Sequence, residues 1–189
     1  MFIHRSALLC DDCGENEAIA LGMADKKDDG DSDEWPQYSP GSESDSPDHC
    51  DNCGHLLYEV ALTDDGREYV ALCLIAGMDD DGLACEWSNH ADLPDPGDMG
   101  WDLDAVRAWA DNLGTAVEAL ESFEDAYLGQ HNSEEDWAAQ YVEDTGMLND
   151  VGDTVSMYFD YEAFARDCQL GGDMTFLPCG LGVFAFSNH

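Results

Sequence analysis

The sequence predicts an α+β fold: a small zinc-ribbon-like N-terminal module, then an elongated acidic α+β domain with β-hairpins and three to four short helices. Three observations predict it. Two C-x-x-C-G knuckles, Cys10-Asp11-Asp12-Cys13-Gly14 and Cys50-Asp51-Asn52-Cys53-Gly54, stand near the start of the chain. Capped helical patterns follow residue 101, while β-prone runs occupy 57–77 and the tail. Finally, 44% of the 189 residues are hydrophobic, with five Trp, seven Tyr and seven Phe, enough for a packed core. A disordered acidic chain lacks such aromatics.

Residues 1–57 form the first expected unit and 58–189 the second. Between the knuckles, Asp25 to Asp48 is rich in Asp, Ser, Gly and Pro, with little apolar content besides Trp35 and Tyr38. This predicts a long, largely irregular loop. Leu57–Leu62 and Tyr69–Ile75 are β-prone, and Asp64-Asp65-Gly66 between them suits a tight turn, so a hairpin is expected over 57–77. A Gly/Asp/Pro-rich connector runs on to about Gly100, with a short strand expected at Leu83–Trp87. Asp102 or Asp104 can cap a helix ending at Gly114. Thr115-Ala116-Val117-Glu118 is a capping box and opens a helix to about Leu128, before Gly129. Ser133 caps a helix that ends near Gly146, and Asp160 caps a shorter one stopped by Gly171 and Gly172. Met174 to Phe186 holds two β-prone runs broken by Pro178, Gly180 and Gly182, a second hairpin.

The knuckles carry the clearest chemistry. A two-residue gap lets both thiolates of a pair point into one tetrahedron, and the Gly that follows relieves crowding where amides turn toward sulfur. Cys10, Cys13, Cys50 and Cys53 therefore read as four ligands of a structural Zn2+ with no open position. Redox pairs or free thiols are the alternative. A redox pair usually opens a helix, however, and acids within both knuckles raise thiol pKa values. His49 and His55 flank the second knuckle as substitute ligands. Cys73, Cys85, Cys168 and Cys179 lack ligand spacing and read as buried small apolar residues.

Charge bounds the partners. Six Lys plus Arg face 43 Asp plus Glu, a formal charge of −37. Such a surface repels nucleic acid and anionic membrane and attracts a positive groove. The helix after Thr115 places Val117, Leu120, Phe123 and Tyr127 on one face and Glu118, Glu121 and Asp125 on the other, with Glu124 at the border. The next buries Trp137, Ala138, Tyr141 and Val142 and exposes Glu134, Glu135, Asp136, Glu143 and Asp144. Ordinary solvated faces interleave cations to relieve like-charge repulsion, yet no Lys or Arg occurs from Asp111 to Asp160. Carboxylates one turn apart approach the spacing of phosphates, and 37 charges correspond to roughly 60 Å of duplex if they lie on one face. A salt-adapted surface would use the same residues without an ordered stripe.

Three segments in order carry a resemblance: Phe123–Gly129, Ser133–Ala138 and Tyr158–Asp167. Over about residues 103–189 the chain resembles the ArdA antirestriction proteins of plasmids, transposons and phages. The resemblance implies an acidic imitation of bent B-form DNA, often a homodimer, that occupies the DNA groove of a host type I restriction–modification complex. The acidic face carries over as a set. Tyr161, Phe164 and Ala165 pack the core, and Arg166 is placed to pair with Asp160 or Glu162. The four-cysteine module lies outside the resemblance.

No catalytic constellation is visible, so the chain reads as a non-enzyme. His131 falls in a polar turn between helices. Asp29, Asp31 and Asp33 imitate a calcium loop, but Glu34 and Pro40 stand where its Gly and bidentate Glu belong. Asp79-Asp80-Asp81-Gly82 reads as a turn. Direct nucleic-acid binding lacks the cations it needs. The Met1–Arg5 start is no signal peptide and no apolar run approaches a membrane span, so a reducing cytoplasm is expected. Two functions compete: a DNA mimic that inhibits a host defence enzyme, and a zinc-ribbon adaptor whose acidity is salt adaptation.

Overall fold

The computed structural model describes residues 1–22, 32, 34, 36–39, 42–77 and 84–189. Expectations for Trp35, for Asp29, Asp31, Asp33 and Pro40, for Asp79–Gly82 and for the Cys85 side chain lie outside the described residues.

The chain starts with two strands, β1 (Phe2–His4) and β2 (Ala7–Leu9), paired antiparallel. Arg5 and Ser6 turn the chain between them at φ 49° and 66°. Positive φ at both central positions usually calls for Asn-Gly or Asp-Gly, so this hairpin has no sequence signal. Helix α1 (Asp11–Ala20) follows, and β3 (Gln37–Tyr38) pairs with β1 to give the order β2-β1-β3. Next, β4 (Glu43–Ser44) pairs parallel with β5 (Ala61–Leu62). The described part of the inter-knuckle loop thus contributes two short strands. Met1, Leu9, Cys50, Leu57 and Val60 form the N-terminal core.

The expected 57–77 hairpin is not present. Apart from β5, its second half is helix α2 (Asp64–Ala76). Thr63 caps it by accepting from the Gly66 N–H at 3.0 Å, and Asp64 and Asp65 sit in its first turn, where the helix dipole favours anions. Val70, Ala71, Leu74 and Ile75 face the core, and Gly77 ends the helix at φ 68°. The strand expected at Leu83–Trp87 is likewise replaced by helix α3 (Ala84–Ala91). In both places a short apolar run fits strand or buried helix equally well, and the tertiary core selects helix.

The expected helices and tail hairpin follow in order, with two short helices and one strand that the sequence does not announce. Together they are α4 (Pro96–Met99), α5 (Leu103–Leu113), α6 (Ala116–Ala126), β6 (Tyr127–His131), α7 (Glu134–Thr145), α8 (Asp153–Ser156), α9 (Tyr161–Gly171), β7 (Met174–Cys179) and β8 (Gly182–Ser187). Asp102, Thr115, Ser133 and Asp160 are the N-caps, and Gly114, Gly146 and Gly172 stop their helices in the left-handed region. One boundary moves. Helix α6 ends at Ala126, and Tyr127–His131 becomes an edge strand, so His131 lies in a sheet, not in a turn.

That sheet has the order β6-β8-β7, and strand alternation divides its two faces. Phe184 and Phe186 of β8, with Tyr127 and Leu177 beside them, pack into a core built from α2, α3, α5 and α6. Trp109 stacks on Phe186 at 4.5 Å between centroids, and Phe123 meets the same ring edge-on at 6.1 Å. Ala185 and Val183 point the other way, with Met174 and Phe176, into a core shared with α7 and α9. There Trp137 meets Phe176 at 5.0 Å, and Ala165 is fully buried beside the half-buried Tyr161 and Phe164. Helices α6 and α7 therefore lie on opposite faces of one sheet. Among the described residues, no helix is long and apolar enough to cross a membrane.

Candidate functional site

Cys10 and Cys13 come from the start of α1, Cys50 and Cys53 from a turn closed by Gly54 N–H donating to the Cys50 carbonyl. The two turns meet because Asp51 and Cys50 are tied into the N-terminal module. The Asp51 N–H donates to the Leu8 carbonyl, and Leu8 N–H donates back to the Asp51 carboxylate at 2.7 Å. Gly14 is required where α1 crosses β1, since a Cβ there would fall 2.3 Å from the Phe2 ring.

The four sulfurs lie within 4.8 Å of one another and could hold a metal ion. Metal–sulfur bonds of about 2.3 Å give a tetrahedral edge of about 3.8 Å, and Cys10 Sγ and Cys53 Sγ stand 3.8 Å apart. The residues present fit a closed tetrathiolate site. Asn52 Nδ2 donates to Cys13 Sγ at 3.3 Å, an outer-shell hydrogen bond of the kind that orients ligands. Burial pushes the Cys50 thiol up, but backbone N–H donors at Cys10, Cys53 and Asn52 outweigh it and bring the thiol down to about 6. A backbone hydrogen bond at Cys13 favours the Cys10 thiolate, yet burial and the three neighbouring sulfurs raise Cys10 to about 12. Four sulfurs this close hold some protons until a cation replaces them.

Cys10 is the N-cap of α1, so the first knuckle opens a helix as a redox pair does, and helix position does not argue against one. What opposes a redox pair is the convergence of four sulfurs where a dithiol needs two. Neither His49 nor His55 joins the cluster; His49 faces the Trp87 ring and His55 the Tyr58 ring. Cys73 is buried as expected, while Cys168 and Cys179 are only half-buried.

The acidic residues divide by helix. Glu118, Glu121, Glu124 and Asp125 are exposed on α6, and Glu135, Asp136, Glu143 and Asp144 on α7, where Glu134 is half-buried. Tyr141, expected in the core, is 39% exposed on α7. Two of these carboxylates have partners within the protein. The Arg67 guanidinium donates to Glu121 Oε1 at 2.8 Å, so the cation missing from the local sequence arrives from α2. Asp136 accepts from the backbone and side-chain amides of Asn132 at 3.2 and 3.0 Å. Arg166 pairs with Asp167 at 3.8 Å, not with Asp160, which is occupied in capping α9.

Sequence reasoning missed one carboxylate altogether. Glu68 of α2 accepts from the N–H groups of Ala116 and Val117 at 2.7 and 3.0 Å and from the Thr115 hydroxyl at 3.0 Å. Glu68 thus caps the first two amides of α6 from another helix, while Thr115 itself accepts from Glu118 N–H at a long 3.5 Å. Partial burial pushes Glu68 up, but these three donors outweigh it and hold its carboxyl below the usual range. No spacing rule connects residue 68 to residue 116.

The family model described as antirestriction protein (ArdA) matches residues 67–182, more than half of the chain. The match runs from Arg67 in α2 to Gly182, the first residue of β8, and excludes all four clustered cysteines. No curated protein and no solved structure gives a significant match.

Proposed function

This chain belongs to the ArdA antirestriction family, and from that premise we propose that it is a DNA mimic occupying the DNA-binding groove of a type I restriction–modification complex. One observation supports this reading most. The exposed carboxylates of α6 and α7 belong to helices packed on opposite faces of a single sheet. Two packing layers of roughly 10 Å each put the helix axes about 20 Å apart. With side chains each helix is about 10–12 Å across, so the outer surfaces of the two helices stand roughly 30 Å apart, and anions on both flanks suit a basic cleft that grips from two sides. The stripe anticipated from sequence becomes a pair of banks.

In this reading Glu118, Glu124, Asp125, Glu134, Glu135, Glu143 and Asp144 meet the partner, with Glu121 and Asp136 already engaged internally. The chain acts in the host cytoplasm as an inhibitor without catalysis of its own and does not bind nucleic acid directly. Cys10, Cys13, Cys50 and Cys53 hold a structural Zn2+ that staples residues 1–57, a module placed ahead of the mimic at 58–189. Met157 and Tyr158, 83% and 84% exposed between α8 and α9, offer apolar surface to a second copy in a homodimer.

A second reading, a zinc-ribbon adaptor with salt-adapted acidity, is favoured by the position of the cysteines outside the matched segment. The two separate in a displacement assay with a type I complex bound to fluorescent duplex. The variant combines Glu118→Gln, Glu124→Gln, Asp125→Asn, Glu135→Gln, Glu143→Gln and Asp144→Asn. Six exposed ion pairs at about 0.5 kcal/mol each give about 3 kcal/mol, a weakening of roughly a hundredfold. The salt dependence of displacement should flatten with it. Undiminished displacement would replace the mimic with the adaptor.

A further inference from the structure

The apolar side of α6 packs on Phe184 and Phe186 and on the core of α2, α3 and α5, while apolar packing alone specifies axial position and rotation less sharply than directional polar anchors do. Two consecutive residues of α2 supply such anchors. Glu68 holds the first turn of α6 through Ala116, Val117 and Thr115. Arg67 holds it further along at Glu121, at 2.8 Å, while its Nε donates to the Ala91 carbonyl at the end of α3 at 3.0 Å. From Ala116 to Glu121 the helix rises about 7.5 Å. Two anchors that far apart on one helix fix both its axial position and its rotation.

We infer that Arg67 and Glu68 are positioning residues that set the register of the acidic bank on α6, and that Glu121 is the internal anchor of Arg67, not a charge offered to the partner. The inference rests on the mimic reading for its functional meaning. An exposed ion pair is usually worth little. This guanidinium differs because its planar fork joins two elements at once, a carboxylate on α6 and a main-chain carbonyl closing α3. In a chain with six cations against 43 carboxylates, attraction alone could seat an arginine almost anywhere. The geometry seats this one beside the residue that caps the same helix.

The bank on α6 is then Glu118, Glu124 and Asp125. Glu118 and Asp125, seven residues apart, lie on nearly the same line of the helix, and Glu124 stands to one side.

Two measurements test the assignment. The first is displacement of fluorescent duplex from a type I restriction–modification complex across a range of salt. Glu118→Gln should weaken displacement and lower the salt slope by about one ion. Glu121→Gln should weaken displacement severalfold with the slope unchanged. Arg67→Ala should do the same, and the double variant should be no weaker than either single one, because both remove one clamp. Arg67→Lys, which keeps the charge but loses the fork, should not rescue. If Glu121→Gln lowers the slope as Glu118→Gln does and adds to Arg67→Ala, Glu121 is a partner contact and the assignment is overturned.

The second measurement needs no partner. Hydrogen exchange in the free protein should quicken at the amides of Ala116 and Val117 in Glu68→Ala, on the order of tenfold or more. In Arg67→Ala it should quicken through the middle of α6. Unaltered exchange in both variants overturns the positioning role. If exchange quickens while Glu118→Gln leaves displacement intact, the mimic reading fails and the two-point anchor stands.

Discussion

Glu68→Gln should make the protein less stable near neutrality and leave it nearly unchanged in acid. The wild-type carboxylate accepts three hydrogen bonds of 2.7 to 3.0 Å, two from N–H groups at the start of α6. Hydrogen bonds to a charged group contribute about 1.5 kcal/mol or more each, but Glu68 is half-exposed and its charge is screened. A glutamine keeps an acceptor oxygen and loses the charge, so the net loss at pH 7 is about 1.5 kcal/mol. For a chain of this length that lowers the melting temperature by roughly 3–6 °C. The folded pKa lies below the unfolded one. The wild-type advantage is therefore complete above the unfolded value of about 4.3 and disappears as pH falls through the lower folded value. Urea denaturation of both proteins at a series of pH values measures the gap directly. A gap that stays constant into acid would show that the charge of Glu68 has no part in holding α6, and the capping argument would fail.

Two further outcomes follow from the N-terminal half. Zinc analysis of the purified protein should give one ion per chain, and a Cys53→Ser variant should lose it, with chelator-induced loss of ordered structure confined to the segment around the knuckles; a metal content that ignores Cys53 would remove it from the ligand set. Gly66→Ala should destabilise the protein by about 1–3 kcal/mol in urea titration, because the new Cβ would stand 2.6 Å from the Ser44 carbonyl oxygen where α2 meets β4. A neutral result there would mean that β4 does not press on α2.

What the sequence made legible was local chemistry. Asp102, Thr115, Ser133 and Asp160 announce helix starts by their own side chains, and Gly114, Gly146 and Gly172 announce the ends. The cysteine pairs are legible for the same reason, since two-residue spacing is itself the geometry of a ligand pair. What stayed hidden depends on distant partners or on the choice of core. Tyr69–Ile75 carries β-prone residues at helix-compatible positions, and only burial against Ala105, Val106 and Leu120 makes it a helix. The decisive local clue, Thr63 before Asp64 and Asp65, was available but looked equally like a turn. The β1–β2 hairpin was invisible because Arg5 and Ser6 adopt positive φ without glycine or asparagine.

The acidic site was legible as a set of residues and not as a surface. Absence of cations between Asp111 and Asp160 suggested bare carboxylates, but a helix is relieved by whatever packs beside it, and Arg67 reaches Glu121 across 54 positions of sequence. Main-chain amides act in the same way. Helix N-termini carry about half a positive charge, and Asp95, Asp102, Asp160 and, from another helix, Glu68 are turned toward them. In a chain this poor in lysine and arginine, backbone dipoles take over part of the work of counterions. The formal −37 therefore overstates the uncompensated charge, and the carboxylates of α6 and α7 are divided between helices on opposite faces of one sheet. Equating the total with roughly 60 Å of duplex sets an upper bound that one face does not reach. If the proposed mimicry holds, the position of each carboxylate on α6 matters as much as its charge, so moving α6 while keeping every charge should impair inhibition as surely as neutralising it.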